Sequence, residues 1–328
     1  MSLRIDNLQF AKWSETVFRQ MRQGRVDAVH ATLSYHGGFR EMVSELALWN
    51  RRFAEWPDLI LPGRTGADVR RAQASSRTAI FFGAQNPSVI EDDLGLIEIA
   101  HQLGLRFLQL SYNNQSLLAS GHAEHHDAGL TRFGREVVAE MNRVGMAVDL
   151  SHMGETSALQ AIEISDRPVA LSHANPAAWR AGKRNAADSV IRALVRRGGV
   201  MGLSLYPLHL DGGSDCTLDG FCRMVAGLVD RHGAAHFGIG SDLCQDQPPQ
   251  VLDWMRRGRW QHPRVTSREA AEPFPPQPDW FRDNRDFDRL EEGLAATGLS
   301  DTEVAGIMGG NWQRFYDEAF VPSGGDGA

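Results

Sequence analysis

The sequence has few cysteines, no long apolar run and no excess of positive charge. Its three cysteines, at 216, 222 and 244, form no CxxC pair and cannot all pair with one another, so neither a disulfide framework nor a zinc ribbon is expected. A reducing compartment, the cytoplasm, fits that usage. Met1 to Gln20 lacks the apolar stretch of about 7–15 residues that a signal peptide needs, and no membrane span is expected. The formal charge is -7, from 34 Lys and Arg against 41 Asp and Glu, and the cations are scattered rather than blocked. That leaves no basic face for a phosphate backbone and excludes nucleic acid as the expected partner. Neither GxGxxG nor GxxxxGK[ST] occurs, which argues against a dinucleotide or nucleotide fold.

What is present is enough apolar residue for one large core: 328 residues, 42% of them hydrophobic, read as a single domain over 1–328. Short apolar runs recur, each followed by polar or glycine-rich residues and then a helical pattern, the rhythm of βα units in a parallel sheet. Eight candidate strands follow: Val26 to Leu33, Leu59 to Leu61, Thr78 to Gly83, Leu105 to Leu110, Ala147 to Leu150, Val169 to Leu171, Val200 to Leu205 and Phe237 to Ile239. Eight such units predict an α/β fold, a (β/α)8 TIM barrel. Arg132 to Val144 carries Val137, Val138, Met141 and Val144 on one helical face, and Asp92 or Asp93 favours the start of a helix running through Leu103. Residues 245–285, with seven prolines and three tryptophans, break the rhythm after the last strand. That excursion reads as a lid or pocket wall, a plain surface segment, or the contact of a homodimer.

In a barrel the chemistry sits at the C-terminal ends of the strands. Asp149-Leu-Ser-His152 closes one run and Ala170-Leu-Ser-His173 closes the next, so two adjacent strands share a Leu-Ser-His ending. Imidazoles at matched heights converge at the mouth, and neutral imidazole is a common zinc donor. His30 and Thr32 share one face of their strand by alternation. Asp242 follows Gly238-Ile-Gly240-Ser241 and has three open roles: metal ligand, proton acceptor or cap. Gln85, Tyr112 and Tyr206 stand at other strand ends, with Arg184 and Asn185 in the loop after His173. A guanidinium suits a carboxylate bidentately, although position alone makes Arg184 a solvated loop residue. His122, His125 and His126 have no metalloprotease spacing and read as solvated loop residues.

Several segments in order resemble the membrane (renal) dipeptidase family of the amidohydrolase superfamily: Gly129 to Gly134, Glu140 to Met146, Val148 to His152, Pro168 to His173, Arg184-Asn185, Gly240 to Asp242 and Gly309 to Trp312. The resemblance implies a barrel hydrolase in which metal-activated water attacks the amide of a dipeptide, a zinc-dependent metalloprotease activity on a small carboxylate-bearing substrate. By that match His152 and His173 hold one metal, His30 is the first-strand histidine of the other, Asp242 is the strand-eight aspartate, and Arg184 grips the substrate carboxylate. Tyr206 lies in a matching segment, and Asn185 and Tyr112 fall on the substrate side. Three positions depart from the family: its His-x-Asp reads His30-Ala-Thr32, its bridging glutamate is Gln85, and a substrate-side histidine is Tyr112. Thr32 and Gln85 bring no charge to offset two cations, so the expectation is one zinc on His152 and His173, with Gln85 and water completing a tetrahedron. Two rivals stay open: a metal-free barrel that binds a small molecule, and a metal-independent lyase or isomerase.

Overall fold

A computed structural model describes residues 2–257 and 273–322. It has nine parallel strands: β1 Ile5–Gln9, β2 Ala28–Ser34, β3 Ile60–Pro62, β4 Thr78–Ala84, β5 Leu105–Gln109, β6 Ala147–Asp149, β7 Ala170–Ala174, β8 Val200–Leu203 and β9 Phe237–Ile239. Their order is β2-β1-β9-β8-β7-β6-β5-β4-β3, and a further β2–β4 pairing closes eight of them into a ring. The chain is a (β/α)8 barrel. Its helices are α1 Glu15–Gln23, α2 Phe39–Glu55, α3 Gly66–Ala74, α4 Gly95–Leu103, α5 Arg132–Val144, α6 Glu155–Ile164, α7 Asp188–Arg196, α8 Leu218–His232, α9 Pro249–Arg257, α10 Phe287–Ala295, α11 Asp301–Ala305 and α12 Asn311–Ala319.

The set of eight differs from the sequence reading at two places. Leu59 to Leu61 predicts a barrel strand, but β3 only flanks the lower part of β4, pairing Ile60 with Thr78. The true first strand is β1, which lies between β2 and β9. Its sequence, Ile-Asp-Asn-Leu-Gln, is too polar for an apolar-run criterion. Most of these polar groups nevertheless find partners inside the protein, the buried Asn7 Nδ2 excepted: Asp6 accepts from Ser241 N and Oγ, Asn7 Oδ1 from the Tyr316 hydroxyl, and Gln9 Nε2 donates to Asp6 and Asn284.

Helix patterning is direct. α5 begins where Thr131 accepts from Gly134 N, buries Val137, Val138, Met141 and Val144, and ends at Gly145 with φ 80°. Asp93 accepts from Gly95 N at the start of α4. One end of the barrel is shut. Phe315, Tyr316 and Phe320 pack on Phe81 and Phe107, and Trp312 Nε1 donates to Ile239 O at 2.9 Å. A Cβ at Gly238 would lie 2.3 Å from Trp312 Nε1, so only glycine lets α12 approach that closely. Trp312→Ala would cost about 3–5 kcal/mol through the cavity left behind. Gly309 to Trp312 therefore serves this plug, and polar strand ends are free to gather at the opposite mouth. Among the described residues no helix is long and apolar enough to cross a membrane.

Candidate active site

Two adjacent strands deliver the paired histidines. His173 lies within β7, and His152 stands three residues past β6 with φ 69°, a conformation that costs energy outside glycine and recurs at functional sites. Their Nε2 atoms are 3.0 Å apart. Each ring is fixed from its other nitrogen. Ser172 Oγ gives its one proton to Asp149 Oδ2 at 2.5 Å and so accepts from His173 Nδ1 at 2.7 Å. Asn113 Oδ1 accepts from His152 Nδ1 at 2.7 Å and from His122 Nε2 at 2.8 Å. Both Nε2 atoms are thereby left with lone pairs, and the two lone pairs face each other. Burial, reinforced by the Arg184 charge, holds both imidazoles well below the usual histidine range, so both are neutral.

Arg184 reaches this pair from the loop before α7. Its Nη1 donates to His173 O at 3.0 Å and its Nη2 to His152 Nε2 at 3.1 Å. Asp242 follows β9 with φ 57° and lines the same pocket of about 130 Å³, together with Gln85, Tyr112, His152 and Tyr206. Burial pushes the Asp242 carboxyl up to about 7, with Arg184 opposing the shift. A carboxyl poised there exchanges a proton near neutrality. Tyr112 packs over His152 with ring centroids 4.3 Å apart.

The structure brings His152, His173, Asp242, Gln85, Arg184, Tyr112 and Tyr206 together, and it corrects three expectations. His30 is on β2, the second strand of the ring, so it is not the first-strand histidine. It sits deeper, its Nδ1 bonded to Asn7 O at 2.9 Å and its ring stacked on Phe107. Its Nε2 fills the space above Gly83, where a Cβ would lie 1.9 Å away. Asn185 lies outside the Asp242 pocket with its amide engaged in its own loop: Oδ1 accepts from Asn175 N, and Nδ2 donates to Arg180 O and His209 O. His122 is no solvated loop residue, being half-buried on Asn113. Sequence reading missed Asn113, whose φ of 59° turns it under both imidazoles. It also missed Leu252 and Met255, which close the pocket from α9. That helix belongs to the predicted 245–285 excursion, of which residues 258–272 lie outside the described residues.

A two-metal centre does not fit this donor set. Gln85 is an amide whose Nε2 donates to Thr32 Oγ1 and Tyr35 OH, and the end of β1 runs into Phe10, which packs edge-on against Tyr35. Among the described residues no three His, Cys, Asp or Glu side chains are grouped as a metal set. A single cation could be held by both nitrogens if they moved apart slightly, since two tetrahedral Zn–N bonds of about 2.0–2.1 Å put their nitrogens about 3.3–3.4 Å apart, against 3.0 Å here. It would have to displace Arg184 Nη2 from His152.

The chain matches the family model described as membrane dipeptidase (Peptidase family M19) over residues 4–258. Dipeptidase tcpJ of Claviceps purpurea is 31% identical over 66% of this chain and 51% of its own length. Dipeptidase verJ of Clonostachys rogersoniana is 29% identical over 74% of this chain and 66% of its own. The chain thus spans between half and two thirds of the length of these relatives. Among solved structures, an amidohydrolase from Pseudomonas aeruginosa superposes with a TM-score of 0.91 at 32% identity, covering 97% of both chains. A metallo peptidase from Rhodobacter sphaeroides, liganded with a phosphinate mimic of L-Ala-D-Ala, shares the fold with a TM-score of 0.79 at 19% identity, over 97% of this chain and 100% of its own.

Proposed function

Since the chain belongs to the membrane dipeptidase family, Peptidase family M19, we propose that it hydrolyses the amide bond of a small carboxylate-bearing substrate of the dipeptide kind, using one zinc ion held by His152 and His173. The observation that carries this reading is the pair of neutral imidazole nitrogens 3.0 Å apart with Asp242 and Arg184 beside them. The metallo peptidase among the structural neighbours supports the metal.

In this mechanism a bound zinc supplies Lewis acidity and lowers the pKa of water, as such ions do in hydrolases. The protein's residues do the rest. Arg184 anchors the substrate carboxylate through its guanidinium fork. Asp242, ionised above about pH 7, takes a proton from the attacking water as the new C–O bond forms, and returns it to the leaving nitrogen as the C–N bond breaks. Asn113 and Ser172 hold the two imidazoles in the tautomer that offers Nε2. Tyr112, Leu252 and Met255 exclude water from above.

One observation favours a second reading, a binding barrel without metal: Arg184 Nη2 already occupies the His152 lone pair. Zinc-equilibrated protein assayed against a dipeptide panel tests the first reading. Turnover that disappears in His152→Ala supports it, and the absence of any turnover in the zinc-equilibrated protein refutes it.

A further inference from the structure

The pocket around Asp242 has a volume of about 130 Å³, well under the roughly 300–1,000 Å³ of ordinary small-molecule sites. A second chamber of about 660 Å³ lies beside it and shares His122, His152 and Arg184 as a common wall. Nothing in the mechanism above uses that chamber. It runs from the shared wall toward α6 and α7. Its buried floor is apolar, with Leu150, Met153, Leu171 and Val190, whereas Glu124, His125, Asp127, Glu155 and Lys183 line it where it opens to solvent, and it stays open because alanines and glycines stand around it, among them Ala158 and Ala187. Leu150 and Leu171 precede the two Leu-Ser-His serines and belong to the core cluster outside the ring, so the motif that delivers the histidines also builds the chamber floor.

We propose that this chamber is a specificity pocket for a large apolar side chain on the carboxylate-bearing residue of the substrate. The proposal rests on the hydrolase reading for the identity of that substrate, and the orientation follows from Arg184. The guanidinium stands in the wall between the two spaces, so a carboxylate bound there belongs to a residue whose side chain has the larger space next to it. The acyl side of the amide then faces Asp242, Tyr112 and Met255, where the small pocket admits only a small group. The substrate class is a short acyl group, glycyl or alanyl in size, on a bulky apolar amino acid. An apolar pocket discriminates by about tenfold or more per methylene it accommodates, so the preference should be large.

Two isomeric dipeptides, Ala-Phe and Phe-Ala, have the same composition and charge and differ only in which residue bears the carboxylate. The expected result is at least a tenfold higher kcat/KM for Ala-Phe. Ala187→Phe, which narrows the chamber from the α7 side and lies outside the Asp242 pocket, should bring the two isomers within about twofold, with Ala-Ala as the reference substrate. Equal rates for both isomers on the parent protein, or a preference for Phe-Ala, would overturn the proposal. If neither isomer is cleaved, the hydrolase reading has failed, and calorimetry with the same pair still decides on the chamber: tighter binding of Ala-Phe supports it, and equal or absent binding overturns it.

Discussion

Arg184 Nη2 lies 3.1 Å from His152 Nε2, the nitrogen that also faces His173. A fixed cation and a metal ion thus contend for one lone pair. At roughly 4 Å and an effective dielectric near 20, two unit charges repel by about 4 kcal/mol. Arg184→Gln should therefore tighten zinc binding at least tenfold, read by competition with a chromophoric chelator. An unchanged zinc Kd would show that the guanidinium does not oppose the ion.

The same arginine should read the carboxylate. Arg184→Ala should raise KM much more for dipeptides than for their C-terminal amides, because only the acid offers two anionic oxygens to the fork. A similar loss for both would remove Arg184 from carboxylate recognition.

Asp242 links activity to stability. Its folded pKa of about 7 is raised from 3.8, so the unfolded chain releases this proton first and ionisation progressively favours unfolding between about pH 4 and 7. The rise from 3.8 to about 7 corresponds to a penalty of up to about 4 kcal/mol, complete above about pH 7. Asp242→Asn removes the charge and keeps a residue that tolerates φ 57°. In urea unfolding the variant should match the parent at pH 4 and exceed it by several kcal/mol at pH 8, while losing turnover. A gain independent of pH would contradict a buried ionised carboxylate. In the parent, kcat/KM should fall about tenfold per pH unit below about 7.

Asn113 acts through His152. Asn113→Ala should lower kcat more than KM and let the His152 proton move between ring nitrogens, visible as a mixture of tautomers in nitrogen NMR. A variant with a KM defect and one unchanged tautomer would assign Asn113 to substrate binding instead.

Much of the site was legible because its residues end apolar runs. His152 and Asp242 follow short buried strands and His173 lies near the end of one, and the repeated Leu-Ser-His ending marks equal heights on neighbours. The α5 boundaries were legible too, since Thr131, the spacing of Val137, Val138, Met141 and Val144, and Gly145 each encode a local rule. β1 was not, because Asp6, Asn7 and Gln9 find their partners in Ser241, Tyr316 and Asn284, which lie more than 200 residues away in sequence. Missing β1 put His30 on the first strand, whereas it lies on the second, β2. Asn113 and His122 depend on a left-handed turn that folds one loop under His152, and no periodicity reports such a turn.

Zinc stoichiometry tests the central claim most directly. Protein equilibrated with zinc, dialysed and measured by elemental analysis should hold about one ion per chain, and His173→Ala should hold none while keeping its circular dichroism spectrum. Two ions per chain, or no ion in a folded parent protein, would contradict the assignment of a single metal to His152 and His173.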